Sequence, residues 1–537
     1  MCGIFLALGS VNYSDCSGCI KTLAARGPEG ECTRSFNGGC IAFTRLAING
    51  LSPKGMQPMD LSGTLYATNG EIYNWRNLEK TYGFKCETGS DCEIIGQLYQ
   101  AFMEGPLSNL GGMFQSLDGV FATAIVDPLK NRVILARDPF GVRPLYKGYR
   151  YVYSKDRVME KQLFFGSELK SIADLCQVVE HFSPGTYEVY DISTHVLLHT
   201  AVYHPLVLSP LPTMSSLEGA SHAVRVALEA AVKKRMMTER PCAALLSGGL
   251  DSSLIAALVA KELRAAGAPP LKTFSIGMEG SSDLFYAAKV AKWIGSEHTQ
   301  IVLTEQEFFQ AIPDVIYAVE SYDTTTIRAS VGNWLISKRV AISDCKVVFN
   351  GDGADELFGS YLYMFGAPDA NSYNLEVLRL LKDIHMFDVL RSDRSISSHG
   401  LEPRTPFLDK TFVQTILQIP EEFRQPTSTR PEKWLLRRAF DDGLTLPREV
   451  LWRRKEAFSD GVSGNDRPWY KAAQELAKGV MGEWTAQKHN PPTTAEMAYY
   501  RTLFDAAYPG MSNVVPYFWM PRWSDSIDPS AKTLSNY

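Results

Sequence analysis

The chain has 537 residues, 54 Lys+Arg against 59 Asp+Glu for a formal net charge of −5, and 45% apolar residues. This is ordinary globular composition, long enough for roughly two to four domains, and it excludes wholesale disorder and a nucleic-acid protein held by a basic face. Ten Cys exclude a disulfide scaffold. The Cys16-x-x-Cys19 spacing has no second pair to complete a zinc site, and a reducing compartment is the default. No apolar run approaches the ~18 residues of a membrane span, and the first residues lack a basic region. A cytoplasmic protein is therefore expected, with neither membrane nor nucleic acid as partner. The Asn12-Tyr13-Ser14 sequon reads as a chance match.

Up to about residue 200, short strand-like runs alternate with turns: Gly39–Leu46, Gly63–Thr68, Val120–Val126, Arg132–Ala136 and Thr186–Ile192. A helix is expected over Asp91–Met103. Tyr203-His204-Pro205 and Ser209-Pro210-Leu211-Pro212 then read as an extended linker. Beyond it Leu217, Ala220, Val224, Leu228 and Ala231 keep helical spacing, and Ala243–Leu246 reads as a strand. Helices at Ser252–Arg264, Asp283–Trp293 and Glu305–Val319 alternate with strands at Lys272–Ile276, Thr299–Leu303 and Lys346–Phe349. That alternation predicts a parallel, doubly wound sheet. Mostly helical sequence follows to about residue 507, and a polar tail ends the chain.

Cys2 stands next to Met1, and all nine His lie at or beyond His181, so the first domain has almost no local candidate for a Cys–His pair. Removal of Met1 would leave Cys2 with an α-amine able to serve as base for its own thiol. Around it stand Cys2-Gly3-Ile4, Arg26-Gly27-Pro28, Arg45-Leu46-Ala47-Ile48-Asn49, Asn69-Gly70-Glu71-Ile72-Tyr73-Asn74, Ser90-Asp91, Arg137–Tyr146 and Gly166–Lys170. Singly, Asn69-Gly70 is also a hairpin turn, Arg45 a surface ion-pair partner and Asp91 a helix cap. Together the set resembles the class II glutamine amidotransferase domain. That resemblance implies an N-terminal-nucleophile fold, an α+β αββα sandwich, with Cys2 as nucleophile. It implies Asn69 and the Gly70 N–H as oxyanion donors. Glutamine would be held by Arg45 through Asn49 and by Asn69, Gly70, Glu71 and Asp91, with Arg45 on the α-carboxylate and Asp91 on the α-ammonium. Ala25 and Glu29 depart from the His and Asp usual in the family.

Leu245-Leu246-Ser247-Gly248-Gly249-Leu250-Asp251-Ser252-Ser253 lies between an expected strand and an expected helix, where backbone N–H groups, hydroxyls and the helix N-terminus make an anion cradle. It lacks the Gly-Lys-Ser/Thr of a kinase-type loop. It resembles the pyrophosphate loop of ATP pyrophosphatases. Leu246, Ser247, Gly248, Gly249, Asp251, Ser252, Ile276, Asn350 and Gly351 are the expected ATP residues, and Asp251 with Asp355 are the candidates for Mg2+. Phe349–Glu356, Tyr322–Ser330, Arg404–Asp409, Glu432–Arg437 and Arg454–Asp460 complete the set. Across both domains the chain resembles the glutamine-hydrolysing asparagine synthetases.

The resemblance implies a carbon–nitrogen ligase that adenylates aspartate with Mg-ATP and aminates it with ammonia from glutamine. Lys455 would neutralise phosphate charge, or be a solvated lysine. Asp352 would take a proton from ammonia, or only shape its turn. Domains are expected at 2–205 and 213–525, with a polar tail at 526–537 and a homodimer as one option. The remaining readings are a phosphoribosyl amidotransferase, disfavoured by Ser247–Ser253; a synthetase acting on another carboxylate or forming a β-lactam; and a degenerate, non-catalytic paralogue, disfavoured by the intact Cys2, Arg45, Asp91, Asp251 and Lys455.

Overall fold

Strand β1 (Gly3–Leu8) is buried along its whole length, as a central strand with both faces covered must be. The computed structural model describes every residue except 12, 155–156, 209–213, 215, 457–460, 465–466, 486 and 535–537. The sequon's Asn12, the linker Ser209–Pro212, the end of the Arg454–Asp460 motif from Ala457 and the last residues of the tail lie outside the described residues.

Two six-stranded antiparallel sheets build the first half. One runs β10 (Val178–His181), β8 (Tyr146–Ser154), β9 (Arg157–Gly166), β1, β3 (Gly39–Thr44) and β2 (Glu31–Phe36). The other runs β12 (Leu197–Val202), β11 (Thr186–Asp191), β7 (Arg132–Arg137), β6 (Gly119–Asp127), β5 (Thr64–Ile72) and β4 (Met59–Leu61). Ile4, Leu6 and Phe43 of the first sheet pack against Ala67, Ala124 and Leu135 of the second. Helices Ile94–Phe102 and Leu110–Ser116 cover the second sheet's outer face through Leu98 and Phe114, and Tyr13–Lys21 covers the first through Cys16 and Ile20. The αββα expectation holds.

The second half is built on a five-stranded parallel sheet, β15 (Glu297–Val302), β14 (Lys272–Gly277), β13 (Cys242–Leu245), β16 (Val347–Phe349) and β17 (Glu402–Arg404). The chain leaves β13 outward to β14 and β15, then returns on the other side at β16. The crevice between the carboxyl ends of β13 and β16 is therefore a topological switch point, where doubly wound sheets bind ligands.

Three features differ from the sequence reading. Strand β17 falls inside the stretch read as mostly helical; it is short and contains Pro403, tolerated at a sheet edge. The expected helix Glu305–Val319 is two helices, Glu305–Gln310 and Ile312–Val319, because Pro313 supplies no N–H and suits a new first turn. The polar tail is anchored: Asp528 pairs with the buried Arg328 at 2.8 Å and accepts from Gln474.

The halves share core. Leu46, Ile48, Val120 and Phe140 join the cluster of Val224 and Leu228. Buried charges also cross the junction, Arg26 to Asp393 at 2.7 Å and Lys170 to Glu320 at 2.9 Å. Each charge is paired, which such burial requires.

Candidate active sites

Cys2 precedes β1, and its neighbours are set by the strands around it. The Cys2 Sγ lies 3.5 Å from both the Leu46 N–H and the Leu46 carbonyl. The Cys2 N–H donates to Asn69 Oδ1 at 3.2 Å, while Asn69 Nδ2 is buried without a partner among the described residues. That side chain therefore keeps a desolvated donor beside the thiol, the state an oxyanion donor needs before substrate arrives. Burial pushes the Cys2 thiol up, against the pull of the adjacent N-terminal amine, so the thiol needs a base. Next to Asn69, a Cβ on Gly70 would sit 2.0 Å from the Val120 carbonyl, and its φ is +153°. Only glycine fits there.

Arg45 is buried, with Nη1 donating to the Ser52 carbonyl at 2.8 Å and Nη2 to the Gly50 carbonyl at 2.5 Å. Two backbone oxygens thus fix the guanidinium plane, which rules out a surface ion-pair role. Asn49 Nδ2 donates to Glu71 at 2.5 Å. Asp91 accepts the Ile72 N–H at 2.6 Å and does not cap the helix that follows it. Burial pushes Asp91 up to about 6, and burial together with Asp91 raises Glu71 well above the carboxylate range, against Arg404. The two family departures also find a place. Glu29 accepts the Ala47 N–H at 2.8 Å and pairs with Arg240 at 2.8 Å, both within reach of the longer side chain. Ala25 makes no comparable polar bridge.

The second site is a cavity of about 210 Å³ at the β13–β16 switch point, lined by Leu246, Ser247, Gly249, Asp251, Ser252, Ile276, Asn350, Gly351, Asp352 and Asp355 among others. Gly248, with φ +74°, would place a Cβ 2.5 Å from the Ala287 N, and it shapes the loop without lining the cavity. A Cβ on Gly351 would lie 2.8 Å from Asp251 Cβ and Ser252 N, so the two loops touch only because of that glycine. Ser247 and Ser252 hydroxyls share a 3.0 Å hydrogen bond at the mouth of helix Leu250–Ala265.

Lys433 Nζ bridges Asp251 and Asp355, and Lys455 Nζ lies 2.6 Å from Asp355. Burial raises Asp251 despite Lys433; burial opposes ionisation of Asp355 too, but Lys433 and Lys455 together hold it well below the carboxylate range. Asp251 Oδ1 is buried and unpartnered among the described residues. Lys455 is thus tied to the site and is not a solvated lysine. Among the described residues no cluster of three His, Cys, Asp or Glu stands ready for a metal. The free Asp251 oxygen, with Asp355 beside it, fits Mg2+ held chiefly by phosphate oxygens, which need few protein ligands.

Asp352 accepts from Arg391 Nη2 at 3.0 Å, and Arg391 also pairs with Asp388 at 2.9 Å. The turn itself is made by Gly353, with φ +92°. Asn350 Nδ2 donates to Ser392 at 2.7 Å, and its backbone N–H donates to the Arg404 carbonyl at 3.1 Å. The sequence reading missed Lys433, Arg391, Tyr361 and Asp388 as site residues. Lys433 stood inside a quoted motif, whereas nothing local marks Arg391, a buried arginine on helix Asp388–Ser397. Thr325 lines the cavity with a hydroxyl unpartnered among the described residues, and Arg328, close by in sequence, instead pairs with Glu496 and Asp528.

The Glutamine amidotransferase domain family matches residues 1–207, and the Asparagine synthase family matches residues 223–380 and 370–522. The chain is 41% identical over 574 aligned residues to the glutamine-hydrolyzing asparagine synthetase of Gallus gallus, covering 100% of this chain and 99% of that protein. It is 40% identical over 577 residues to that of Homo sapiens, with the same coverage. A solved glutamine phosphoribosylpyrophosphate amidotransferase from B. subtilis aligns at 15% identity and a TM-score of 0.33, over 57% of this chain and 91% of that one.

Proposed function

This chain belongs to the glutamine-hydrolysing asparagine synthetases, and on that footing we propose how its two sites divide the work. It makes L-asparagine from L-aspartate and ATP with ammonia taken from L-glutamine, through β-aspartyl-AMP, releasing AMP and pyrophosphate. The match along the whole chain carries this reading. We divide the chain into a glutaminase domain at 2–205, an adenylating domain at 213–525 and a tail at 526–537.

With Met1 removed, the Cys2 amine takes the thiol proton and Sγ attacks the glutamine carboxamide carbon. Asn69 Nδ2 and the Gly70 N–H receive the oxyanion, Arg45 the α-carboxylate, and Asp91, with Glu71 nearby, the α-ammonium. The Leu46–Asn49 backbone forms the wall. Ammonia leaves, and water hydrolyses the thioester to glutamate.

In the second site the backbone at Leu246 and Ile276 receives adenine. Ser247, Gly249 and Ser252 cradle pyrophosphate in the loop that Gly248 shapes, and Asn350 and Gly351 close the crevice. The aspartate β-carboxylate attacks the α-phosphorus, with Lys455 neutralising the charge on the departing pyrophosphate. Asp251 and Asp355 would hold Mg2+, which supplies further neutralisation of the phosphates. Ammonia crosses the domain junction and attacks the acyl-adenylate carbon, and Asp352, oriented by Arg391, takes the proton.

Among the described residues no helix is long and apolar enough to cross a membrane. A cytoplasmic location belongs to this reading, and a homodimer is an option for sedimentation to decide. The test of function is asparagine formation with glutamine and then with ammonia, one AMP and one pyrophosphate appearing per turnover. Glutamine hydrolysis without either product, at saturating aspartate and ATP, would overturn it.

A further inference from the structure

The wall of the glutamine site is held from outside its own domain. Thr238–Arg240 belongs to the synthetase half and precedes β13 (Cys242–Leu245), yet it faces the Ala47–Gly50 backbone. The Glu239 N–H donates to the Ile48 carbonyl at 3.1 Å, and Glu239 Oε1 accepts the Gly50 N–H at 2.7 Å. Arg240 Nε donates to the Ala47 carbonyl at 2.9 Å, while its Nη2 meets Glu29 Oε1 at 2.8 Å. Glu29 Oε2 then accepts the Ala47 N–H at 2.8 Å, so the Ala47 peptide is gripped at both ends. The hook is braced by Thr238, whose hydroxyl accepts the Arg240 N–H at 2.9 Å, and by Arg404, which donates to the Met237 carbonyl at 2.7 Å.

The grip reaches the substrate cation in two steps. Gly50 has φ +60°, and a Cβ there would fall 2.5 Å from the Ser90 N, so its peptide is confined to one orientation. Glu239 holds that residue's N–H, and the Gly50 carbonyl receives Arg45 Nη2 at 2.5 Å. Displacing Gly50 would swing the guanidinium. Neither Glu239 nor Arg240 belongs to the apolar core, so their replacement spares packing.

We propose that Glu239 and Arg240 are positioning residues for glutamine: the synthetase half completes the glutaminase site by fixing the backbone that aims Arg45. The inference rests on Arg45 being the α-carboxylate receptor. Glutaminase kinetics on the full-length enzyme test it, with ammonia-dependent synthesis reporting that each variant is folded. Glu239→Ala and Arg240→Ala are expected to raise the glutamine KM about fivefold each and the double variant about thirtyfold, with kcat within twofold. Glu239→Gln keeps an acceptor for the Gly50 N–H and should restore the KM to within twofold of the parent. A double variant with unchanged KM, or single variants that lower kcat alone, would overturn the proposal. Should the double variant lose ammonia-dependent synthesis, Glu239→Ala against Glu239→Gln decides. Arg45→Lys separates the premise: if it leaves KM unchanged, the receptor assignment fails; if it raises KM while the double variant does not, only the hook fails.

Discussion

Around Cys2 the polar groups are mostly satisfied by protein: Arg45 on two carbonyls, Asp91 on the Ile72 N–H, Asn49 on Glu71, with Asn69 Nδ2 left over. Around Asp251 many are not, since Asp251 Oδ1, Thr325 Oγ1, Arg391 Nε and Arg453 Nη1 are all buried without partners among the described residues. The first candidate site is suited to one small zwitterionic amino acid, and its cost in unmet hydrogen bonds is low. The second must receive phosphates and a second carboxylate, so it stores unmet donors and acceptors and uses Lys433 to keep its two carboxylates together. Substitutions should therefore separate the two chemistries cleanly.

The largest separation is expected from Cys2→Ala, which should lower glutaminase turnover by about 10⁴-fold or more and leave ammonia-dependent synthesis intact. Retaining Met1 should act in the same direction by blocking the amine. Glutamate release at the parent rate would remove Cys2 from the mechanism. Asp251→Asn should do the reverse, lowering both synthesis routes by about 10²–10³-fold while sparing the glutaminase. Pyrophosphate release with aspartate and ammonia measures it, and near-normal release would leave Asp251 as a helix-terminal residue only.

A smaller effect, about 10²-fold, is expected for ammonia-dependent synthesis in Asp352→Asn, with ATP binding retained. Asp352→Glu should stay within about tenfold, the equivalent of ~1.4 kcal/mol. An active Asp352→Asn enzyme would send the proton elsewhere. The mildest test uses pH. Burial raises Asp91 to about 6 in the free site, so it is charged above that pH and neutral below it. Holding an ammonium requires the charged form. The glutamine KM should thus be flat above pH 6.5 and rise up to about tenfold per unit as pH falls below 6. A KM that stayed level from pH 7 to pH 5 would take the ammonium away from Asp91, and ammonia-dependent synthesis is not expected to share this limb.

Much of both candidate sites was legible because the motifs that mark them are short. Cys2 with no histidine before His181, the Asn69-Gly70 pair and the Ser247–Ser253 loop are short motifs that point to a reaction only when taken together with their neighbours. The expected strands at Gly39–Leu46, Val120–Val126 and Lys272–Ile276 lie where β3, β6 and β14 form, since apolar runs between turn residues have few other ways to be buried. Strand β17 was hidden because three residues with a proline carry no period.

The sequence by itself determined which reactive side chains the chain carries and which turns present them, because the Asn69-Gly70 pair and the Ser247–Ser253 loop are short-range features of the backbone. Only the tertiary structure decided how those groups are held. Lys433 meets Asp251 across 182 positions, and Gly50 meets Glu239 across 189. A charged side chain has the same local signature whether solvated or buried against a distant partner. Its role is fixed by the packing of two domains, which no window of sequence contains.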